Sequence, residues 1–267
     1  MESEKIKSTV REKYGKIAAE SSANYSCCCG PACCSSTETY NVFSENYDNR
    51  EGYIPEADFG LGCGIPTDYA GIKKGDHVLD LGSGAGNDCF VARAIVGETG
   101  KVTGLDMTEQ MIEKAKENCK KHGFDNVSFV QGDIEQMPFD ENTFDVIVSN
   151  CVLNLVPDKK KAFDEIYRVL KPGGRFCISD IVIKGDLPES LRQDAEMYAG
   201  CVSGAINISE YLSIIERSGF SSAIIHKQRE ISLPEDLPGK YLSEQEKKDF
   251  IKNQTGIFSI TISASKP

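Results

Sequence analysis

The sequence has no long apolar run and an excess of acidic over basic residues, and each feature excludes a class of protein. No stretch reaches the roughly 18 apolar residues that a membrane-spanning helix needs. The charged residues 1–20 contain no apolar core typical of a secretory signal, so the cytoplasm is the expected location. Lysine and arginine number 30 against 41 acidic residues, a net charge of -11. This acidity disfavours nucleic acid as a partner, and no segment favours a membrane surface.

Histidine is scarce and scattered. His77, His122 and His226 are far apart in the chain, so no histidine-based metal cluster is predicted. The run Lys159–Lys161 begins a predicted helix, and we interpret it as a solvated face. The acidic segment 131–141 is interpreted as a solvated loop, except for Asp133, which is discussed below. There are no internal repeats.

Cysteine, in contrast, is abundant, with eleven residues in a chain of 267. Five of them crowd one stretch, as Cys27, Cys28, Cys29, Cys33 and Cys34. Cytoplasmic thiols are normally reduced, and an odd count fits poorly with a closed disulfide framework. Thiolates are soft donors that select soft ions. The cysteines therefore indicate metal or redox chemistry.

Strand-like and helix-like segments alternate from residue 77 onward. The predicted strands are His77–Leu81, Lys101–Asp106, Val127–Gln131, Phe144–Ser149 and Arg175–Ile183. The predicted helices are Asn87–Val96, Thr108–His122 and Asp158–Leu170, the last stopped by Pro172 and Gly173. Such alternation predicts an α/β fold with a doubly wound, mostly parallel sheet.

The remaining segments complete the predicted organisation. Residues 4–20 carry an apolar stripe with helical spacing, formed by Ile6, Val10, Tyr14 and Ile17. Further helices are predicted over 188–204 and Ser209–Ser218, and Ala223–Ile231 and Ile257–Ser263 predict an antiparallel closure of the sheet. We expect residues 1–60 to form a helix and a cysteine-rich arm. Residues 61–267 form the main domain, with a substrate-site insertion around 184–208.

A glycine-rich turn follows the first predicted strand, in the segment Asp80-Leu81-Gly82-Ser83-Gly84-Ala85-Gly86. Glycines in such a turn let the backbone approach a ligand closely. A dinucleotide site requires G-x-G-x-x-G, whereas here the third glycine comes one residue early and is followed by Asn87. The turn therefore predicts a ligand site at the carboxyl end of the strand, and argues against a nicotinamide dinucleotide.

Acidic residues mark the ends of the next two strands. Asp106 ends the second strand, where a carboxylate can accept hydrogen bonds from both ribose hydroxyls, and Asp133 follows the third strand. With the D-x-G-x-G spacing and the turn at Leu170–Phe176, the pattern resembles the Rossmann-like S-adenosylmethionine-dependent methyltransferases. The resemblance implies S-adenosylmethionine as the cofactor, bound by Asp80, Gly82, Ser83, Gly84, Gly86, Asp106, Met107, Asp133, Ile134 and Asn150.

Three isolated cysteines lie where this fold would place chemistry. Cys63 stands between Gly62 and Gly64, Cys151 follows the fourth strand, and Cys201 stands in a glycine-rich stretch after the fifth. In these contexts they closely resemble the arsenite methyltransferases. The resemblance implies that Cys63, Cys151 and Cys201 bind trivalent arsenic, and that the enzyme methylates arsenite or methylarsenite for detoxification.

The resemblance also implies redox chemistry, because methylation through the arsenic lone pair leaves pentavalent arsenic. A cysteine pair can return the electrons as a disulfide forms. Cys28, Cys29, Cys33 and Cys34 are the candidates for this relay, with thioredoxin or glutathione as the external reductant. A nonfunctional tail and a structural zinc site are the alternatives for this arm.

Two other functions remain open at the level of the sequence. One is a methyltransferase for another small molecule, in which Cys63, Cys151 and Cys201 only pack as small apolar residues. The other is a protein that binds arsenic or another soft metal without catalysis. Cys89, Cys119 and Cys177 fall within regular elements, and we expect them to pack in the core.

Overall fold

The structure is a computed structural model that describes residues 2–23, 45–185, 204–231, 243–245, 248 and 256–267. Its helices are α1 (Glu2–Ala23), α2 (Asn87–Val96), α3 (Glu109–His122), α4 (Lys159–Val169) and α5 (Ile208–Arg217). Its strands are β1 (His77–Leu81), β2 (Lys101–Asp106), β3 (Val127–Gln131), β4 (Phe144–Asn150), β5 (Leu170–Lys184), β6 (Ser221–Glu230) and β7 (Gly256–Ser265). No helix in these ranges has the length and apolar character needed to cross a membrane.

The strands form one seven-stranded sheet in the order β3-β2-β1-β4-β5-β7-β6. Strand β7 is antiparallel to both of its neighbours, and the other pairs are parallel. This arrangement confirms the predicted doubly wound α/β fold with antiparallel closure. The strand order reverses between β1 and β4, and such a switch point leaves a crevice at the carboxyl ends of the strands.

Strands in the centre of the sheet are apolar on both faces because helices cover both faces. Leu79 and Leu81 of β1 join a core with Phe163 of α4. Val78, which points to the opposite face, joins a second core with Phe90 of α2. The sheet thus lies between two apolar layers, and its polar residues are concentrated at the strand ends.

The boundary between α4 and β5 differs slightly from the prediction. The helix ends at Val169 and Leu170 already belongs to β5, since it pairs with Phe144 across the sheet. The register then shifts before Arg175 pairs with Val146. The intervening Pro172–Gly174 turn accounts for the shift, because proline and glycine do not continue a regular ladder.

Helix α1 packs against α3, far from it in the chain. Val10, in the predicted apolar stripe, is buried. A Cβ atom at Gly15 would lie 3.1 Å from the side chain of Gln110, so glycine allows the close approach of the two helices. The predicted helix at 188–204 lies outside the described residues except for residue 204, and the division at residue 60 stays a prediction.

Candidate active site

A cavity of about 1190 Å³, including its open mouth, lies at the carboxyl ends of β1, β2 and β4. Every predicted cofactor-binding residue except Gly86 lines it. Cys151 lines it as well, together with residues from α1 and from the segment 45–62. The cavity therefore coincides with the switch point of the sheet, although contact with a cofactor stays a prediction.

The glycine turn after β1 has a backbone that other residues would not accept. Gly82 has a φ of 68°, and a Cβ atom there would lie 2.4 Å from the side chain of Val152. The amide groups of Gly82 and Ser83 donate to the carbonyl of Leu105 at 2.7 and 3.0 Å. These bonds fix the turn against β2, which leaves its cavity side free for a ligand.

Asp106 connects the glycine turn to the start of α3. Its Oδ2 accepts a hydrogen bond from the Gly84 amide at 3.0 Å, and its Oδ1 accepts one from the Thr108 amide at 2.8 Å. Burial raises the pKa of Asp106, and the backbone donors oppose the rise. These donors orient the carboxylate at the end of β2, the position where an acidic residue can accept hydrogen bonds from ribose hydroxyls, and that contact stays a prediction.

Two buried polar atoms beside the glycine turn have no hydrogen-bond partner among the described residues. They are Oγ of Ser83 and Oδ1 of Asn87, and both residues line the cavity. Buried polar atoms are almost always satisfied in folded proteins. A polar ligand in the cavity would supply the partners.

The cavity is strongly acidic. Its carboxylates are Glu45, Asp58, Asp80, Asp88, Asp106 and Asp133, and Lys7 is the single lysine or arginine among the described lining residues. Burial raises the pKa of Asp80 well above its ordinary value. A bound cation would offset the cost of burying these charges. S-adenosylmethionine carries a sulfonium and an ammonium group, so the residues present fit it, whereas phosphates would be repelled.

Helix α1 forms one wall of the cavity through Lys7, Val10 and Tyr14. The Lys7 ammonium donates to Asp133 at 2.7 Å and to Glu135 at 2.5 Å. Glu135 is buried, so the prediction of a solvated loop was wrong for this residue. Its burial is tolerated because Lys7 neutralises the charge and the Asp158 amide donates to its other oxygen at 2.9 Å.

Cys151 directly follows β4 and is buried at the edge of the cavity. Its φ is 60°, a left-handed conformation that is uncommon for residues other than glycine. Its amide donates to the Ser179 carbonyl at 2.7 Å, which ties the turn to β5. The strained turn ends β4 and places Cys151 beside the glycine turn. Strained backbone of this kind is common at functional sites.

Cys63 is fully buried in the loop that precedes β1. Its carbonyl accepts a hydrogen bond from Ser259 of β7 at 2.6 Å, and its amide donates to Oδ1 of Asn150 at 2.9 Å. Asn150 is the residue before Cys151, so one side chain links the two cysteine segments. Neither cysteine forms a disulfide with another described residue.

The buried residue Tyr211 is influenced electrostatically by both cysteines. Burial raises the pKa of Tyr211 well above its ordinary value, and the neighbouring Asp180 and, to a smaller extent, Cys63 and Cys151 add to the rise. The Tyr211 hydroxyl donates to Asp180 at 3.0 Å. The influence of both Cys63 and Cys151 on the pKa of Tyr211 indicates that the two cysteines lie near the same hydroxyl group.

Lys159, whose pKa is influenced by Asp180, corrects a second prediction. Its ammonium is buried and donates to the carbonyls of Asn154 and Val156, both at 3.1 Å. The solvated face predicted for Lys159–Lys161 was thus wrong for Lys159. Burial lowers its pKa to about 8, and the negative charge of Asp180 opposes the change.

Several residues of the site carried no recognisable signal in the sequence. Tyr47 lies in an irregular segment, yet its hydroxyl donates to Asp88 at 2.8 Å. Asp88 follows the glycine turn, and burial raises its pKa to about 6. The position of this acidic residue just after the glycine turn is the one feature of the sequence that could have indicated its role. Lys7, Asp180 and Tyr211 reach the site only through tertiary packing.

The other cysteines divide into two groups. Cys89, Cys119 and Cys177 are buried within the second core, which confirms the prediction that they pack there. Cys201 and the arm cysteines Cys27, Cys28, Cys29, Cys33 and Cys34 lie outside the described residues. No group of three or more potential metal ligands occurs in the part of the chain that the structure describes.

Comparison with known proteins agrees with this geometry. A family model described as a methyltransferase domain matches residues 72–219. An arsenite methyltransferase of Halobacterium salinarum is 38% identical over 99% of this chain and 67% of its own length. One of Aquipseudomonas alcaligenes is 34% identical over 88% of this chain and 68% of its length.

A solved structure is similar to this chain in both sequence and fold. An arsenic(III) S-adenosylmethionine methyltransferase from Chlamydomonas reinhardtii superimposes with a TM-score of 0.65 and 34% identity, over 77% of this chain and 67% of that protein. This similarity identifies the family and not the individual ligands. This chain belongs to the arsenite methyltransferase family of S-adenosylmethionine-dependent enzymes.

Proposed function

We propose that this chain transfers a methyl group from S-adenosylmethionine to trivalent arsenic bound by the thiolates of Cys63 and Cys151. Arsenite is the first candidate substrate and methylarsenite the second. Cys201 is the candidate third ligand from the sequence, and it lies outside the described residues. The cytoplasm stays the predicted location.

The observation that supports this proposal is that two buried cysteines meet at the strand end that borders the acidic cavity. Cys151 lines the cavity, and Cys63 is linked to the same strand end through Asn150. A methyltransferase for an ordinary carbon, nitrogen or oxygen nucleophile has no use for a pair of thiols there. A soft acceptor atom does, because soft ions prefer sulfur ligands.

The ligand exchange that binds arsenic to the cysteines needs no external acid or base. Arsenite enters as a neutral molecule with three hydroxyl groups. Each cysteine that binds forms an arsenic–sulfur bond and gives its thiol proton to a departing hydroxyl, which leaves as water. When bound, the cofactor supplies a methyl group on a positively charged sulfur. The protein holds acceptor and donor together, and such orientation contributes much of the rate enhancement in enzymes.

Reduction of the product requires a second source of electrons. Methylation oxidises arsenic by two electrons, and a pair of thiols restores the trivalent state by forming one disulfide. Cys28, Cys29, Cys33 and Cys34 remain the candidate relay, and thioredoxin or glutathione the candidate reductant. Both assignments rest on the resemblance stated from the sequence.

The direct test incubates the full chain with labelled S-adenosylmethionine, arsenite and glutathione, followed by chromatography of the arsenic species. We expect labelled methylarsenicals from the native protein. Cys63→Ser and Cys151→Ser should abolish them, because a serine hydroxyl is a hard donor and a poor arsenic ligand. Cys119→Ala, which removes a buried thiol from α3, is the matched control and should remain active.

Two outcomes would contradict the proposal in different ways. An active Cys151→Ser variant would show that the thiols only pack, as in a methyltransferase for another small molecule. Tight arsenite binding with no labelled product and no consumption of the cofactor would indicate a protein that only binds arsenic.

A further inference from the structure

The side-chain amide of Asn150 lies between the two cysteine segments and contacts both sides. Its Oδ1 accepts hydrogen bonds from the amide of Cys63 at 2.9 Å and the amide of Gly64 at 3.3 Å. Its own backbone continues directly into Cys151. The amide therefore joins the loop before β1 to the end of β4.

The loop around Cys63 is shaped to receive this amide. A Cβ atom at Gly62 would lie 2.5 Å from Nδ2 of Asn150, and one at Gly64 would lie 2.4 Å from the hydroxyl oxygen of Ser179. Such distances are far below van der Waals contact. Glycine on both sides of Cys63 is thus required for the loop to reach the amide and β5.

Two buried side chains fix the orientation of the amide. Its Nδ2 lies 2.8 Å from the Tyr47 hydroxyl, 2.8 Å from the Gly64 carbonyl and 3.1 Å from Oδ2 of Asp88. Tyr47 in turn donates to Asp88 at 2.8 Å. Because only acceptors face Nδ2 and only backbone donors face Oδ1, the amide has one favourable orientation.

We propose that Asn150 is a positioning residue that sets the separation of the Cys63 and Cys151 thiols before arsenic binds. The inference rests on the proposed function, since it assumes that both thiols are arsenic ligands. Tyr47 and Asp88 support Asn150 and do not contact the substrate in this assignment. This positioning role differs from the cofactor contact that the sequence predicts for Asn150.

Preorganisation has a measurable consequence. A trivalent arsenical held by two fixed thiols is recaptured after one bond breaks, because the second thiol keeps it in place. If the Cys63 loop moves freely, part of the binding free energy is spent on ordering it. Loss of the Asn150 amide should therefore weaken two-thiol binding and leave binding by a single thiol unchanged.

The test uses phenylarsine oxide, a trivalent arsenical with two exchangeable positions, and the full chain with the arm cysteines replaced by serine. We expect Asn150→Ala to weaken binding about tenfold, the effect of losing roughly one net hydrogen bond or slightly more. Tyr47→Phe removes one supporting hydroxyl and should have a smaller effect in the same direction. It also provides a second variant if Asn150→Ala folds poorly.

Asn126→Ala is the matched control. Its amide nitrogen also bridges two loop carbonyls, those of Gly97 and Gly100 at 2.9 and 3.0 Å, but away from the cysteines. We expect it to leave the affinity for phenylarsine oxide unchanged. An equal loss in Asn126→Ala and Asn150→Ala would mean that the effect is general loosening of the fold, and would overturn the assignment.

A double-mutant cycle with Cys63→Ser separates positioning from general destabilisation. In that background Asn150→Ala should have no further effect on binding, because Asn150 acts through Cys63. The affinity of Asn150→Ala for S-adenosylmethionine, measured by calorimetry, should fall less than its affinity for phenylarsine oxide. A full additional loss in the Cys63→Ser background, or lost cofactor affinity with native arsenical binding, would overturn the inference.

Failure of the proposed function gives a different result. In that case Cys63→Ser and Cys151→Ser would each bind phenylarsine oxide as the native protein does. If those two variants lose binding and Asn150→Ala does not, the ligands are correct and only the positioning role is wrong.

Discussion

The strongest test of the buried chemistry is a pH-dependent stability measurement on Asp180→Asn. Asp180 is fully buried in β5, where burial raises its pKa to about 7 from an ordinary value of 3.8. The charge of Lys159 and the hydrogen bond from Tyr211 both oppose the rise. The substitution removes the titrating group while keeping an oxygen acceptor of the same shape.

The sign and size of the effect follow from the two pKa values. Because the pKa is raised in the folded state, folding takes up a proton between about pH 4 and pH 7, and Asp180 lowers stability as the pH rises through this window. The slope is about 1.4 kcal/mol per pH unit. Over about three pH units, the free energy of unfolding of the native protein should fall by up to about 4 kcal/mol relative to that of Asp180→Asn.

The assay is urea unfolding of both proteins at several pH values from 4 to 8, followed by the far-ultraviolet circular dichroism signal. Relative to Asp180→Asn, the native protein should have its highest free energy of unfolding at pH 4. This advantage should fall as the pH rises and become constant above about pH 7. Tyr211→Phe removes a hydrogen bond that favours the charged carboxylate, so it should move the levelling-off to a higher pH.

A difference between native protein and Asp180→Asn that stays constant from pH 4 to 8 would refute the reasoning. It would mean that the Asp180 carboxyl group has the same proton affinity in both states. A difference that changed in the opposite direction would mean that Lys159 stabilises the carboxylate more than burial disfavours it.

Three further changes test the cofactor cavity. Gly82→Ala should lower the free energy of unfolding by at least about 1–2 kcal/mol, from its left-handed backbone alone, in urea denaturation. Ser83→Ala should weaken S-adenosylmethionine binding by up to about tenfold in calorimetry with little loss of stability, because its hydroxyl has no partner among the described residues. Lys7→Ala should cost about 1–3 kcal/mol in urea unfolding because it leaves Glu135 buried without its cation, and Glu135→Gln should reduce that cost.

Much of the fold could be predicted because the chain marks its own boundaries. Predicted and observed limits agree for β1, β2, β3 and α2. Glycines and acidic residues end those segments, and the apolar runs are short enough to distinguish strands from helices. The ligand turn followed from Gly82 and Gly84, since glycine spacing constrains the backbone locally.

The rest of the site depends on contacts between residues far apart in the chain. Lys7 meets Glu135, and Tyr47 meets Asp88. No local pattern distinguishes a lysine that pairs with a buried carboxylate from one that faces water. Lys159 shows this directly, because it is buried while Lys160 and Lys161, the other two members of the same run, conform to the expected solvated face.

The charge of the cavity also bears on substrate choice. On the proposed function, the donor is a cation and arsenite is a neutral molecule, so neither is repelled by the acidic lining. Arsenate and phosphate are anions and would meet Asp80, Asp88 and Asp106, and the one cation among the described lining residues, Lys7, already pairs with carboxylates. In the proposed site, the thiols would select a substrate with high affinity for sulfur, and the carboxylates would repel anions such as arsenate and phosphate. Discrimination thus comes from a repulsive element as well as an attractive one, the combination that specific sites generally use.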